Sequence, residues 1–277
     1  MIEYENSLEE LDIRGFCKLG ILIDQQTLNE CLDALVNYKK NDIEMFGDQA
    51  LKKLNEYEVV RDLCSVSDVF VNILANNFLN DFVDKALNER ATIYSYNAVL
   101  SDSIASSEKF LGFDFHRDTQ YFNGIRTAIV VMIPLVDTVQ LNGATIVSPG
   151  THLFSGRPSS TYLENHQLHV CCPAGAAYCV DGALWHKAGI NKSGLVRPLI
   201  AIEYKLAPFK QQIDYCSSNA LSIDGYPEIV KKRLGWDARV CLSVEEYRVD
   251  PGLRPFKSGN YIMGNIDIFK NRSGDGK

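Results

Sequence analysis

The sequence predicts a mainly β protein whose core is an antiparallel sandwich or barrel of jelly-roll type, flanked by helices. Two observations carry this reading. Between about residues 91 and 206, short β-branched and aromatic runs follow one another, separated by turn signals such as Asn142-Gly143, Pro149-Gly150 and Asp181-Gly182. On the N-terminal side, apolar residues recur at helical spacing instead.

The elements follow in order. "FCKLGILI" (16–23) reads as a short strand running into Asp24, a helix N-cap, after which Leu28, Cys31, Leu32, Leu35 and Val36 recur as an apolar stripe. Val69 to Leu87 continues the helical period, with Phe70, Ile73, Leu74, Phe78, Phe82 and Val83 able to share one face. Residues 1–90 are therefore expected to form a mainly helical support. The period changes in "ATIYSYNAVL", "RTAIVVMIPLVD", "GATIVSPGTHL", "HQLHVCCPAGAAYCVDGALWHKAG" and "RPLIAIEYKL", which read as strands of a core over 91–206. Residues 207–277 look mixed, with one helix around "YPEIVKKRLGW" and a disordered end at "KNRSGDGK". No repeat, low-complexity block or Pro/Gly/Ser linker divides the 277 residues, so one domain is expected.

Composition narrows the class. With a net charge of −7 and scattered Lys and Arg, the chain offers no basic surface for nucleic acid or an anionic membrane, and neither is expected as a partner. The longest apolar run, around "AIVVMIPLV", is too short to span a bilayer, and "MIEYENSLEELDIRG" lacks the apolar stretch of a secretion signal; a cytoplasmic location is expected. The eight cysteines are dispersed without CxxC spacing and are expected to be reduced and mostly buried.

Chemistry concentrates in "FDFHRDTQYF" (113–122). On a strand, His116 and Asp118 point to one face and Arg117 to the other, so an imidazole and a carboxylate stand side by side as ligands for a divalent metal. A second histidine would complete the two-His, one-carboxylate set that holds non-haem Fe(II) and leaves positions open. Of the five histidines, His186 in "VDGALWH" is best placed to return beside Asp118 on a later strand, while His152, His166 and His169 read as loop residues with local roles. Arg197, eleven residues beyond His186, opens "RPLIAIEY" with a guanidinium that can grip a carboxylate through two parallel bonds. The charges balance. A dication, Asp118 and a dianionic chelating dicarboxylate leave one negative charge, and burying it without Arg197 would cost on the order of several kcal/mol.

Together, "HRD" (116–118), "NGATIVSPGTHL" (142–153), "DGALWHKAGINKSGLVRP" (181–198) and the opening "GFCKLGILIDQQTLNECLDAL" resemble the phytanoyl-CoA dioxygenase-like branch of the Fe(II)/2-oxoglutarate dioxygenases, over roughly residues 15–206. The resemblance implies a double-stranded β-helix (cupin-like) core and Fe(II) held by His116, Asp118 and His186. It further implies Arg197 on the C5 carboxylate of 2-oxoglutarate, a hydroxyl contact to that cosubstrate from Ser193 or Thr127, and O2 as oxidant. The activity it implies is hydroxylation of a C–H bond in a small-molecule substrate, with release of succinate and CO2. Desaturation, epimerisation or cyclisation with the same cofactors, and a non-catalytic ligand-binding jelly roll, stay open as alternatives. Halogenation is not expected, because Asp118 is present where halogenating relatives carry a small residue. "SDSIASSEKFLG" (101–112) is expected to act as a lid. Tyr94, Tyr96, Asn97, Tyr121 and Phe122 are expected either to line the pocket or to pack in the core. Trp185 is expected to pack in the core, and Arg117 and Arg126 to have solvated or structural roles.

Overall fold

The structure, a computed structural model, describes residues 2–87, 91–102, 114–219, 222–240 and 243–248. The expected lid beyond Asp102 and the C-terminal "KNRSGDGK" lie outside the described residues.

The N-terminal support comprises α1 (Ile2–Arg14), α2 (Gln25–Phe46), α3 (Asp48–Lys53), α4 (Leu63–Val66), α5 (Asp68–Leu74) and α6 (Asn77–Ala86). Asp24 caps α2 as expected, its side chain accepting from the Thr27 amide at 2.9 Å. Leu28, Cys31 and Leu35 form the buried stripe; Val36, one residue or about 100° further round, is 68% exposed. The run from Val69 to Leu87 is two helices instead of one. The Asn76 side chain accepts from the Leu79 amide at 3.0 Å, which ends one helix and starts the next. This resets the phase, and Leu79 takes the fully buried position in place of Phe78.

Among the described residues, nine strands form two antiparallel sheets. The strands are β1 (Phe16–Ile21), β2 (Val59–Val60), β3 (Ala91–Ser101), β4 (Ala128–Pro134), β5 (Ile146–Val147), β6 (Leu168–His169), β7 (Ala176–Asp181), β8 (His186–Lys187) and β9 (Arg197–Leu206). The larger sheet has the order β1-β7-β4-β9-β3-β2 and the smaller β6-β5-β8. The sheet thus reaches beyond the expected 91–206, because β1 and β2 from the helical region pair with β7 and β3, whose outer edges would otherwise be open.

Alternation along the strands sorts side chains into two cores. Ile93, Tyr96, Ala98, Ile129, Val131, Ile133, Ile200, Ile202 and Tyr204 face the helices, against Phe70, Leu74, Leu79 and Phe82. On the other face, Val130, Met132, Tyr178, Val180 and Leu199 meet Val147, Val170 and Leu184 from the region of the smaller sheet. All seven residues of β4 are buried, so its sequence reads as a continuous apolar run. Each fully buried Leu or Phe contributes roughly 1.5–3 kcal/mol relative to an exposed one.

The C-terminal part holds the helical side in place. After α7 (Ser160–Asn165) between β5 and β6, α8 (Tyr215–Ser218) and α9 (Glu228–Arg233) follow β9. Arg233 on α9 is completely buried, and its guanidinium donates to Asn80 Oδ1 at 2.8 Å, the Ala91 carbonyl at 3.1 Å and Asp84 Oδ1 at 2.7 Å. Two glycines let the chain entering β5 cross the chain leaving β8. A Cβ on Gly143, which has φ +83°, would stand 2.5 Å from the Gly189 carbonyl oxygen, and one on Gly189 2.4 Å from that of Ala144. The described cysteines are unbridged, and Cys17, Cys31, Cys64, Cys172, Cys179 and Cys216 are buried. Among the described residues no helix is long and apolar enough to cross a membrane.

Candidate metal centre

The segment around His116 is not the regular strand expected from its sequence. It makes one antiparallel bridge, the His116 and His186 amides donating to each other's carbonyls at 2.9 and 3.0 Å. Its partner β8 is only two residues long and offers no further ladder. The carbonyl of Gly182 then holds the next turn, accepting from the amides of Asp118 and Thr119 at 2.9 and 3.0 Å. A Cβ on Gly182 would stand 2.8 Å from Ala128 Cβ and 3.0 Å from Thr119 Cγ2, so this close clamp requires glycine.

The common placement of His116 and Asp118 survives this irregularity, and His186 joins them. Asp118 Oδ1 lies 3.8 Å from His116 Nε2, and its Oδ2 lies 3.4 Å from His186 Nε2. The two imidazole centroids are 4.5 Å apart, tilted by 52°. Ligand atoms of all three residues lie within 4.8 Å of one another, a spacing that can hold one divalent ion.

Backbone carbonyls aim both rings. His116 Nδ1 lies 2.9 Å from the Asp114 carbonyl and His186 Nδ1 3.0 Å from that of Leu184. With each Nδ1–H donating, the Nε2 lone pairs are left facing Asp118. Burial and the neighbouring His186 lower the pKa of His116, which favours the neutral imidazole that a metal needs.

Arg197 is 2% exposed at the start of β9, on the face opposite the helices. Its Nε and Nη1 have no hydrogen-bond partner. Burial holds its pKa below the usual range, with Tyr178 and Glu58 the groups that favour its charge. The contrast with Arg233, equally buried and bonded through every nitrogen, marks Arg197 as a guanidinium with two nitrogens free to take an anion. Beside it, the Tyr178 hydroxyl lies 2.8 Å from Thr145 Oγ1.

Ser193 and Thr127 have local roles. The Ser193 hydroxyl donates to Asn191 Oδ1 at 2.7 Å and accepts from the Leu195 amide at 3.2 Å, closing the turn before β9. Thr127 Oγ1 lies 3.3 Å from Thr119 Oγ1, bracing the loop that carries Asp118. The other histidines also sit apart from the centre. His152 Nε2 contacts the Asp12 carbonyl at 3.0 Å, His166 stacks on Tyr162 at 4.1 Å, and His169 pairs with Ile146.

The candidate wall residues divide. Tyr96 is buried on the helical side, its hydroxyl donating to the Phe70 carbonyl at 3.0 Å. Tyr94 and Asn97 are partly exposed, and Phe122 stands edge-on to Phe209 at 6.2 Å. Tyr121 borders an open hollow of about 580 Å3 that also touches His116, Asp118, Gln120, Ser155 and Trp185. Trp185 therefore does more than pack. It lies against Phe115, Ile146 and Leu163, yet it also faces the hollow and is approached by the guanidinium carbons of Arg117 and Arg157, 4.9 and 5.2 Å from its ring centroid. Position 185 precedes the two residues of β8, so strand alternation does not fix its direction. Arg117 and Arg126 are structural. Arg117 donates to the carbonyls of Thr151, Phe154 and Ser155, and Arg126 pairs with Asp181 at 2.8 Å and Asp12 at 2.6 Å.

Glu203 and Lys205 are the residues that sequence reasoning missed. They form a buried ion pair at 3.0 Å, with Ser95 Oγ donating to Glu203 Oε2 at 3.3 Å. Counting by twos from Arg197 would have put both on its face of β9. Burial and the charge of Asp118 push the Glu203 carboxyl up from 4.5 to about 7. The folded protein thus binds a proton there that the unfolded chain releases at lower pH. Metal-free protein is expected to lose stability as pH rises from 4.5 to about 7, and Glu203→Gln to flatten that slope. Thermal melts across this pH range measure it; parallel profiles for parent and variant would remove the assignment.

Comparison with known proteins now places the chain. The model of the phytanoyl-CoA dioxygenase (PhyH) family matches residues 11–199, from α1 through the start of β9. The chain belongs to the PhyH family. Its PhyH segment includes His116, Asp118, His186 and Arg197, and the class this family carries is that of oxygenase-type enzymes. The uncharacterized protein Rv1501 of Mycobacterium tuberculosis is 27% identical over 267 residues, covering 93% of this PhyH chain and 97% of its own. Two solved structures share the fold at lower identity. AviO1 from Streptomyces viridochromogenes Tue57 has a TM-score of 0.57 at 18% identity, over 74% of this chain and 96% of its own. The non-heme monooxygenase ThoJ, as its Ni complex, has a TM-score of 0.58 at 19% identity, over 75% and 80% respectively.

Proposed function

We propose that this PhyH-family protein is an Fe(II)/2-oxoglutarate-dependent oxygenase that hydroxylates a C–H bond of a small molecule, with His116, Asp118 and His186 holding iron and Arg197 holding the cosubstrate's C5 carboxylate. The observation that carries the reading is Arg197, a buried guanidinium with two unpartnered nitrogens, in a fold that also brings His116, Asp118 and His186 together. A dicarboxylate that chelates a metal at one end and ends in a carboxylate at the other meets both needs.

Bound iron with 2-oxoglutarate and O2 supplies C–H oxidation, releasing succinate and CO2. The protein's part is binding and geometry. The carbonyls of Asp114 and Leu184 keep the two Nε2 lone pairs turned inward. Asp118 contributes the one anionic ligand and cancels half of a dication's charge. Arg197 orients the cosubstrate by its far end, and Met132, Tyr178 and Leu199 form an apolar layer that keeps water from that end.

Anaerobic addition of Fe(II) and then 2-oxoglutarate to metal-free protein is expected to produce a visible metal-to-ligand charge-transfer band that needs both additions. His186→Ala is expected to lose it. Folded parent protein that binds iron but develops no band would overturn the proposal.

A further inference from the structure

The inner face of β9 carries charge at both ends. Arg197, Leu199, Ala201, Glu203 and Lys205 alternate onto it, and at about 3.3 Å per residue six positions separate Arg197 from Glu203 by about 20 Å. The loop that carries Asp118 is tied through its backbone to the strands beside the Glu203 end. Gly182, which clamps Asp118, donates from its amide to the Ala128 carbonyl at 3.0 Å; Ala128 pairs in register with Lys205, and Val130 with Glu203.

Next to this end, β3 presents an open polar face. Tyr94, Ser95 and Asn97 are partly exposed, whereas Tyr96 and Ala98, pointing the other way, are closed. Asn97 Oδ1 is buried without a partner, and the Lys205 ammonium sits 3.4 Å from the Tyr94 ring centroid. Glu203 Oε1 contacts Lys205 but has no hydrogen bond of good geometry. An apolar pair at 203 and 205 would be as stable as this ion pair or more so, which leaves its polar atoms as the feature to be explained.

Charge selects the ligand. On the proposed oxygenase reading, on which this inference rests, metal, Asp118, 2-oxoglutarate and Arg197 sum to zero, and Glu203, once ionised, sums to zero with Lys205 as well. A substrate bearing a phosphate, carboxylate or ammonium would leave one buried charge uncompensated. A neutral molecule rich in hydroxyls would not, and it offers donors to Glu203 Oε1 and Asn97 Oδ1 and acceptors to Lys205.

We infer that Ser95, Asn97, Glu203 and Lys205 form the primary-substrate subsite, and that the substrate is an uncharged, polyhydroxylated ring compound. The test is saturation-transfer difference NMR on metal-free full-length protein without 2-oxoglutarate, using myo-inositol and methyl α-glucopyranoside beside glucuronate and glucosamine. The neutral rings are expected to receive saturation and the charged ones at least about tenfold less, the equivalent of roughly 1.4 kcal/mol. The double variant Glu203→Leu with Lys205→Met is expected to lose the signal while melting at the parent temperature or above; should it fail to fold, Asn97→Ala is expected to weaken the signal in its place. Equal saturation of a charged ring, no signal from either neutral ring, or a folded variant that keeps the full signal would overturn the inference. Iron and cosubstrate take no part in this measurement, so its failure is distinct from failure of the charge-transfer experiment.

Discussion

Replacing Arg197 with methionine is expected to weaken 2-oxoglutarate binding by roughly 30-fold to several-thousand-fold, the equivalent of losing about 2–5 kcal/mol from a buried charge pair. The same substitution is expected to leave the protein without cosubstrate as stable as the parent, or to stabilise it by about 1–4 kcal/mol. The two effects have one cause. Arg197 is 2% exposed and lacks partners on Nε and Nη1, so its desolvation is only partly offset, by Glu58, until a further carboxylate arrives. Methionine fills similar volume beside Tyr178 and Leu199 without that cost. Calorimetric titration of 2-oxoglutarate into Mn(II)-loaded protein and urea unfolding of the metal-free form measure the two halves. Unchanged affinity would show that the cosubstrate is anchored elsewhere; a large loss of stability would show that Arg197 has partners in the empty state.

Much of this architecture was legible in the sequence, and the exceptions have physical causes. Long strands declared themselves: "ATIYSYNAVL" and "RPLIAIEYKL" became β3 and β9 almost residue for residue, and register pairs them along their length. The clustering of His116, Asp118 and His186 was legible because it needs only a shared face, which the single bridge between His116 and His186 supplies without a regular strand. Phase errors arose where a side chain bonded to backbone, as at Asn76, since capping competes with helix continuation. The strands β1 and β7 are both legible, but their pairing is not, because a six-residue strand does not say which edge it will close. The direction of Trp185 is not legible, because alternation does not extrapolate beyond a two-residue strand. Glu203 and Lys205 were overlooked for another reason. Within an apolar run, charges read as solvent-facing, although alternation from Arg197 turns both inward, as the register with Val130 and Ala128 bears out.

Replacing Asp118 with alanine is expected to remove divalent-metal binding at this centre almost completely. Losing a hydrogen bond that merely supports a metal ligand costs roughly 10–100-fold in affinity, so losing the sole anionic ligand is expected to cost more. His116 and His186 would remain oriented by Asp114 and Leu184, but two neutral imidazoles supply no charge to offset a dication. The metal-free fold should tolerate the change. The Asp118 carboxylate stands 3.4 and 3.8 Å from the ring nitrogens, beyond ordinary hydrogen bonds, while its loop is held through backbone amides by Gly182. The readout is the rise in melting temperature on adding Mn(II). At a hundredfold excess over Kd a bound ion stabilises the native state by about 2.7 kcal/mol, so a clear upward shift is expected for the parent. The variant is expected to melt with the metal-free parent and to shift little. A parent-sized shift in Asp118→Ala would move the metal away from this cluster, and with it the proposed reason for the two unpartnered nitrogens of Arg197.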